Sequence, residues 1–249
     1  MNISLKDKNI IVTGASSGIG KNVSKVLGEM GANVILVSRN ESKLRCICNE
    51  IKGNCKIHPF DLKRIDEISS LFKTIVQENG KLDGLVYSAG IGGARPLSLL
   101  SKKNIEDMFD INFYAFVEMV KHFSKKGNYN DYASVVAMSS IASIMGDKGK
   151  ISYCASKAAL DAAVRCMAKE LAVKLIRVNT VRASWVKTDL YENYMENWSD
   201  NLISKSFVDR HYFGILEPSD ISSMICFLLS DYSTKITGTS VLIDSGCMA

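Results

Sequence analysis

Short apolar runs alternate with amphipathic stretches from one end of the chain to the other. Ile10-Ile11-Val12 and Val34-Ile35-Leu36-Val37 contain no polar residue. Such unbroken runs suit strands covered on both faces, the signature of a parallel sheet. Further strands are predicted near Lys56–His58, Leu82–Tyr87, Ser134–Met138, Ile176–Val181 and Ser240–Ile243. Helical spacing of apolar residues predicts helices near 18–30, 41–51, 64–78, 104–125, 152–173 and 219–229. Gly31 closes the first of these as a C-terminal stop. This alternation predicts an α/β fold, a doubly wound parallel sheet with helices on both faces. With three prolines and no low-complexity stretch, residues 1–249 read as a single domain.

Composition permits a large buried core without pointing to a function. The 249 residues are 47% hydrophobic and 23% charged. The net charge of +5 is 31 basic minus 26 acidic residues, and the basic ones are scattered. A solvated surface is expected, not a nucleic-acid interface. No apolar run approaches the ~20 residues that span a bilayer. The start, MNISLKDKN, lacks the apolar centre of a secretion signal, so no membrane association and a cytoplasmic location are expected. Seven cysteines without paired C-x-x-C clusters predict reduced thiols and no metal site. Cys154 neighbours Tyr153 and reads as a small packing residue.

Two clusters carry candidate chemistry. Gly14-Ala15-Ser16-Ser17-Gly18-Ile19-Gly20 follows a strand and opens a helix. Gly14 permits a sharp turn, Gly18 a close approach of backbone to a pyrophosphate, and Gly20 packing of helix on sheet. The alternative is a tight turn with no ligand. At the end of the second strand, Ser38-Arg39-Asn40 offers a guanidinium where a ribose-binding carboxylate would favour NAD. Arg39 therefore points to a 2′-phosphate, and NADP(H) is expected over NAD(H). A plain surface arginine is the other reading.

The second cluster lies downstream. Tyr153 and Lys157 are four residues apart and share a helix face, and Ser140 precedes the tyrosine by thirteen residues. A phenol titrates near 10, too high for a base at neutrality. An ammonium about 4 Å away favours phenolate by up to ~4 kcal/mol at an effective dielectric of 20. Asn112 falls on the apolar stripe of Ile105, Met108, Phe109, Phe116, Met119, Val120 and Phe123, where an amide needs hydrogen-bond partners.

With these pieces the chain resembles the short-chain dehydrogenase/reductase family over nearly its whole length. The matching segments are TGASSGIG, Asp61-Leu62, Ser88-Ala89-Gly90, Asn112, Ser140, Tyr153-x-x-x-Lys157, Thr188 and ITGTSVLIDSG. The resemblance implies a Rossmann-like fold and an oxidoreductase that moves hydride between a nicotinamide and a carbonyl or alcohol carbon. Tyr153 would then be the acid/base, and Ser140 would orient the substrate oxygen. Lys157 would lower the tyrosine pKa and bind the nicotinamide ribose, and Asn112 would hold a water behind Lys157. Asp61 and Leu62 would contact the adenine, Ser88, Ala89 and Gly90 the adjacent ribose, and Val186 and Thr188 the carboxamide. The nearest sub-group is 3-oxoacyl-carrier-protein-reductase-like, and the family suggests a homotetramer or homodimer built through the helices of Asn112 and Tyr153.

Two segments depart from the family. Tyr87-Ser88-Ala89-Gly90 stands where Asn-Asn-Ala-Gly is usual. Arg182-Ala183-Ser184 stands where a small residue and Pro-Gly are common. Arg182 follows a strand whose carboxyl end faces ligand, so an anion or an acidic side chain should meet it there; the other reading turns the side chain outward to solvent. Residues 187–216 hold Tyr191, Tyr194, Met195, Trp198, Phe207, Tyr212 and Phe213. They read either as a lid over substrate or as satellite core. A cofactor-binding sensor without turnover remains the alternative function.

Overall fold

The computed structural model describes residues 3–198 and 208–249. Seven parallel strands form one sheet in the order β3-β2-β1-β4-β5-β6-β7. β1 (Asn9–Thr13) pairs with β2 (Asn33–Ser38) on one side and β4 (Leu82–Tyr87) on the other. β3 (Cys55–Pro59) forms one edge, while β5 (Tyr129–Ser140), β6 (Arg177–Ala183) and β7 (Ser240–Ile243) extend the other. The chain runs outward in both directions from β1, which opens a crevice at the carboxyl ends of β1 and β4. The doubly wound sheet expected from the apolar runs is present, strand for strand.

Each face of the sheet has its own apolar layer. Helices α1 (Gly18–Glu29) and α2 (Glu41–Glu50) cover one face, with Val23, Leu27, Leu44 and Ile47 buried against Ile10, Val12 and Leu36. The opposite layer is built by α3 (Ile68–Asn79), α5 (Ala115–Phe123) and α6 (Ile151–Leu171), with α4 (Lys102–Phe109) packed against α6. Burying each large aliphatic side chain is worth about 1.5–3 kcal/mol, so the two layers dominate the stability. After β6 come α7 (Asp189–Trp198) and α8 (Pro218–Leu229), the latter packed with α1. α1 ends where Gly31 takes φ +84°, and Ala32 N–H closes onto the Leu27 carbonyl. The carboxyl end of α8 is met by the buried Arg177, whose Nη2 donates to Leu228 O at 2.8 Å.

Three local features differ from the sequence reading. The helix expected over 104–125 is two α-helices joined by a π-helical turn, Asp110–Tyr114, which carries Asn112. Ile105, placed on the buried stripe by its spacing, is exposed at the free end of α4. The expectation that all cysteines are reduced is overturned for one pair, because Cys48 and Cys55 form a disulfide. The reversal from α2 into β3 brings their Cα atoms to 5.6 Å, within the range a disulfide spans. Among the described residues, no helix is long and apolar enough to cross a membrane.

Candidate active site

The turn between β1 and α1 is shaped by what it excludes. Gly14 has φ +64°, and a Cβ there would lie 2.8 Å from the Ala89 backbone. A Cβ at Gly20 would overlap the Gly14 carbonyl oxygen. The turn therefore lies flush against the start of α1 and against the loop after β4. At the head of α1, the Ser17 side chain makes no capping hydrogen bond, and the first turn holds no acidic residue. In contrast, Asn40 caps α2 through Lys43 N–H, and Ser101 caps α4. The amides and positive dipole end of α1 thus face the crevice.

A groove of about 480 Å³ runs along this turn. It is lined by Gly14, Ser16, Ser17, Gly18, Ile19, Arg39, Asp61, Leu62, Ser88, Ala89, Gly90 and Thr188, all residues singled out from the sequence. Gly20 lies beneath the groove in α1, and Val186 is buried behind it, bridged to Leu216. Thr188 closes over the turn: a Cβ at Gly18 would lie 3.0 Å from its methyl carbon. Sequence reasoning missed Ser38, Lys43 and Lys63, which also line the groove. Lys43 lies in the first turn of α2, directly after the strand end that carries Arg39, and that nearness could have exposed it. Among the described residues, Ser38 Oγ is buried without a hydrogen-bond partner at the groove wall, as expected of a group that waits for a ligand.

The catalytic candidates gather at the inner end of the groove, around Gly90. A Cβ at Gly90 would lie 3.3 Å from Asn112 Oδ1 and 3.6 Å from Lys157 Nζ. Lys157 is buried and donates to the Met138 carbonyl of β5 at 2.8 Å. Its Nζ lies 5.9 Å from the centre of the Tyr153 ring, so the shared helix face holds as expected. Burial lowers the Lys157 ammonium to about 8, with the Asp161 carboxylate opposing. Burial raises the Tyr153 phenol above its ordinary value, while a hydrogen bond with Ser140 pulls the other way. Ser140 ends β5, and its Oγ accepts from Ala142 N–H at 3.2 Å, opening the short turn Ile141–Ser143. Asn112 accepts from Ile91 N–H at 2.9 Å and donates to Ile91 O at 3.0 Å and Ser156 Oγ at 3.0 Å. It ties the loop after β4 to α6 and satisfies a backbone that would otherwise be loose.

Arg182 does not await an anionic ligand. Its Nη2 donates to Asp161 Oδ2 at 2.7 Å and its Nε to Ser143 Oγ at 2.9 Å. Of the two partners expected for it, the acidic side chain is the one present, so a preference for acidic substrates loses its support. Of the aromatic segment, Tyr191 packs edge-to-face on Trp185 at 5.6 Å, whereas Tyr212 and Phe213 are exposed. The two exposed rings are not satellite core. Phe207 lies outside the described residues, as do the side chains of Tyr194 and Trp198.

A sheet with this order, a groove at its switch point and a Ser-Tyr-Lys cluster at the groove's inner end define a dinucleotide-fold oxidoreductase. A family profile described as enoyl-(acyl carrier protein) reductase matches residues 14–248. The 3-oxoacyl-(acyl-carrier-protein) reductase of Rickettsia felis is 31% identical over 246 residues, covering 99% of each chain. The L-xylulose reductase of Caenorhabditis elegans is 35% identical over 252 residues, covering 98% of this chain and 97% of that one. Among solved structures, a 7α-hydroxysteroid dehydrogenase complexed with NADH and 7-oxo glycochenodeoxycholic acid superposes with a TM-score of 0.91. It is 26% identical and covers 98% of this chain and 96% of its own. The chain belongs to the short-chain dehydrogenase/reductase family and is an oxidoreductase acting on the CH–OH/C=O pair.

Proposed function

We propose that this protein is an NADP(H)-dependent reductase of a small ketone or aldehyde, the reverse alcohol oxidation using the same groups. What supports this reading is that Lys157 lies beside Gly90 of the groove, with Tyr153 and Ser140 next to it, while Arg39, Lys43 and Lys63 line the groove elsewhere. The residues fit a dinucleotide: Gly14 and Gly20 leave no room for a Cβ, and among the described residues Ser17 does not cap α1 and Ser38 Oγ lacks a partner. The Gly14–Gly20 turn would hold the pyrophosphate, Asp61 and Leu62 the adenine, and Ser88, Ala89 and Gly90 the adjoining ribose. Val186 and Thr188 would hold the carboxamide. Arg39 makes no ion pair among the described residues and suits a 2′-phosphate, with Lys43 beside it in the groove. When bound, the nicotinamide supplies hydride to the carbonyl carbon.

Tyr153 then gives its phenolic proton to the carbonyl oxygen, and the C=O π bond becomes a C–H and an O–H bond. A phenol held above its ordinary pKa keeps that proton at neutral pH, which suits the reducing direction. Ser140 holds the same oxygen, Lys157 anchors the ribose, and Asn112 fixes the loop and a relay water behind the lysine. Exposed Ile144 and Leu190 beside the cluster support an apolar substrate body. Tyr212 and Phe213 support a lid within residues 187–216. Exposed Ile105 and Tyr114 near Asn112, and Ile151 on α6, support a homotetramer or homodimer assembled through these helices. The test is NADPH consumption against a panel of ketones and aldehydes. At least one should be reduced; inertness of the purified protein towards the whole panel, with NADPH and with NADH, sinks the reading.

A further inference from the structure

The network around Arg182 reaches the elements that carry Ser140, Tyr153 and Lys157. Asp161 lies one helical turn beyond Lys157 and two beyond Tyr153 on α6, and its side chain is 4% exposed. Ser143 closes the short turn that Ser140 opens. Arg182 belongs to β6, which leads into Val186 and Thr188. One guanidinium therefore joins the helix of Tyr153 and Lys157, the turn of Ser140 and the strand that feeds the groove. Asp161 is held from a second side, since its Oδ1 accepts from Thr180 Oγ1 at 3.0 Å. Thr180 Oγ1 in turn contacts Ser240 Oγ of β7 at 2.8 Å.

Stability alone is a poor reason for such a pair. A buried ion pair costs desolvation, and packed apolar residues of similar volume are often no less stable. The segment that follows lacks the restraint a proline gives to φ. Ser184 is held by other contacts, its N–H to Ile243 O at 3.1 Å and its Oγ against His211 Nε2 at 3.0 Å. A planar guanidinium that bonds two partners in one plane fixes their relative position in a way a single-point cation does not.

We propose that Arg182 and Asp161 are positioning residues, whose ion pair locks the Ser140 turn against α6 and so sets the Ser140–Tyr153–Lys157 geometry. This rests on the reductase reading for its kinetic consequence. The carboxylate also faces Lys157, and it opposes the lowering of that ammonium by burial. The other titratable groups facing Lys157 are Tyr153 on the same helix and Arg182 of β6 through Asp161; β5 offers only the Met138 carbonyl and the π turn only Asn112.

The test compares Asp161→Ala, Arg182→Ala and the double variant. Each single variant leaves one buried charge unpaired, so both should melt lower and turn over slowly. The double variant removes both charges and should recover most of the melting temperature. A positioning role predicts that its kcat stays at least 10-fold low while KM for NADPH moves less than 3-fold. Its acid-to-base midpoint assigned to Lys157 should also fall below that of the wild type. Recovery of kcat to within 2-fold, with the melting temperature restored, overturns the inference and leaves the pair a structural one. A crystal structure of the double variant reads the same point without turnover. Displacement of the 140–143 turn relative to Tyr153 supports the inference, and an unmoved turn overturns it. An inert wild type would count against the reductase reading alone.

Discussion

The turn after β1 and the last residues of β6 both sit at the carboxyl ends of parallel strands, and they hold their surroundings by opposite means. The first works by backbone. Gly14 and Gly20 leave no space for a Cβ, and the amides of α1 open on the groove with no side-chain cap from Ser17. The second works by side chains, with Arg182, Asp161 and Ser143 braced across β6, α6 and the Ser140 turn. A phosphate-binding turn must bring peptide N–H groups to an anion, and any side chain stands in the way. A braced segment can exchange its side chains in matched sets, so long as each buried charge keeps a partner. The cofactor end is therefore rigid in residue type, and the catalytic end is open to variation.

Substitutions at the two ends should separate binding from turnover. The largest effect is expected at the catalytic cluster. Tyr153→Phe keeps the ring and removes the proton, so kcat should fall by ~10²–10⁴-fold. NADPH affinity by titration should hardly change, and near wild-type turnover would remove Tyr153 from its role. At the turn, Gly14→Val forces a β-branched residue to φ +64° and against the Ala89 backbone. The protein should lose on the order of 3 kcal/mol in denaturant unfolding, and what folds should bind NADPH poorly.

A smaller effect is expected at the cationic end of the groove. Arg39→Ala should lower NADPH affinity by roughly 1.5–3 kcal/mol and leave NADH affinity nearly unchanged. Equal affinities of the wild type for the two cofactors would show that Arg39 is only a surface residue. The smallest expected effect is a gain. Lys157→Met removes a buried ammonium and should abolish turnover while raising stability at pH 7 by on the order of 1 kcal/mol. The folded ammonium titrates at about 8 against an ordinary 10.5, so the unfolded chain binds the extra proton between these values. Wild-type stability should then rise with pH across that window, and the advantage of the variant should shrink over it. Thermal melts of both proteins from pH 7 to 10.5 would show it, and parallel curves would place the ammonium in water.

Much of this was legible in the sequence because it is local. The buried strands are unbroken apolar runs, the groove-lining residues cluster at strand ends, and Tyr153 and Lys157 share a face by spacing alone. What escaped depends on tertiary contact. Asp161 is 21 residues from Arg182, and nothing in the sequence near either names the other. The π turn that aims Asn112 is set by packing, since its residues satisfy an α-helical period as well. The Cys48–Cys55 pair was missed because an argument from compartment and count says nothing about where a helix-to-strand reversal puts two sulfurs. Ser38 and Lys43 flank the arginine that drew attention and were overlooked beside it.

The π turn at Asp110–Tyr114 has a bearing on how this region can change length. A π turn amounts to one extra residue accommodated within a helix. Each α-helical residue advances about 100° around the axis. Deleting one residue from this stretch would close the bulge into a continuous helix and leave Lys102–Phe109 and Ala115–Phe123 in nearly their present relation, because the wide turn absorbs the extra residue. The change would fall on the turn itself, where Asn112 would shift by about 100° relative to Met108 and its amide would lose its aim at Ile91 and Ser156. Residue count between α4 and α5 is thus under tighter constraint than residue identity, and an insertion or deletion there should be harder to tolerate than any single substitution on the exposed face.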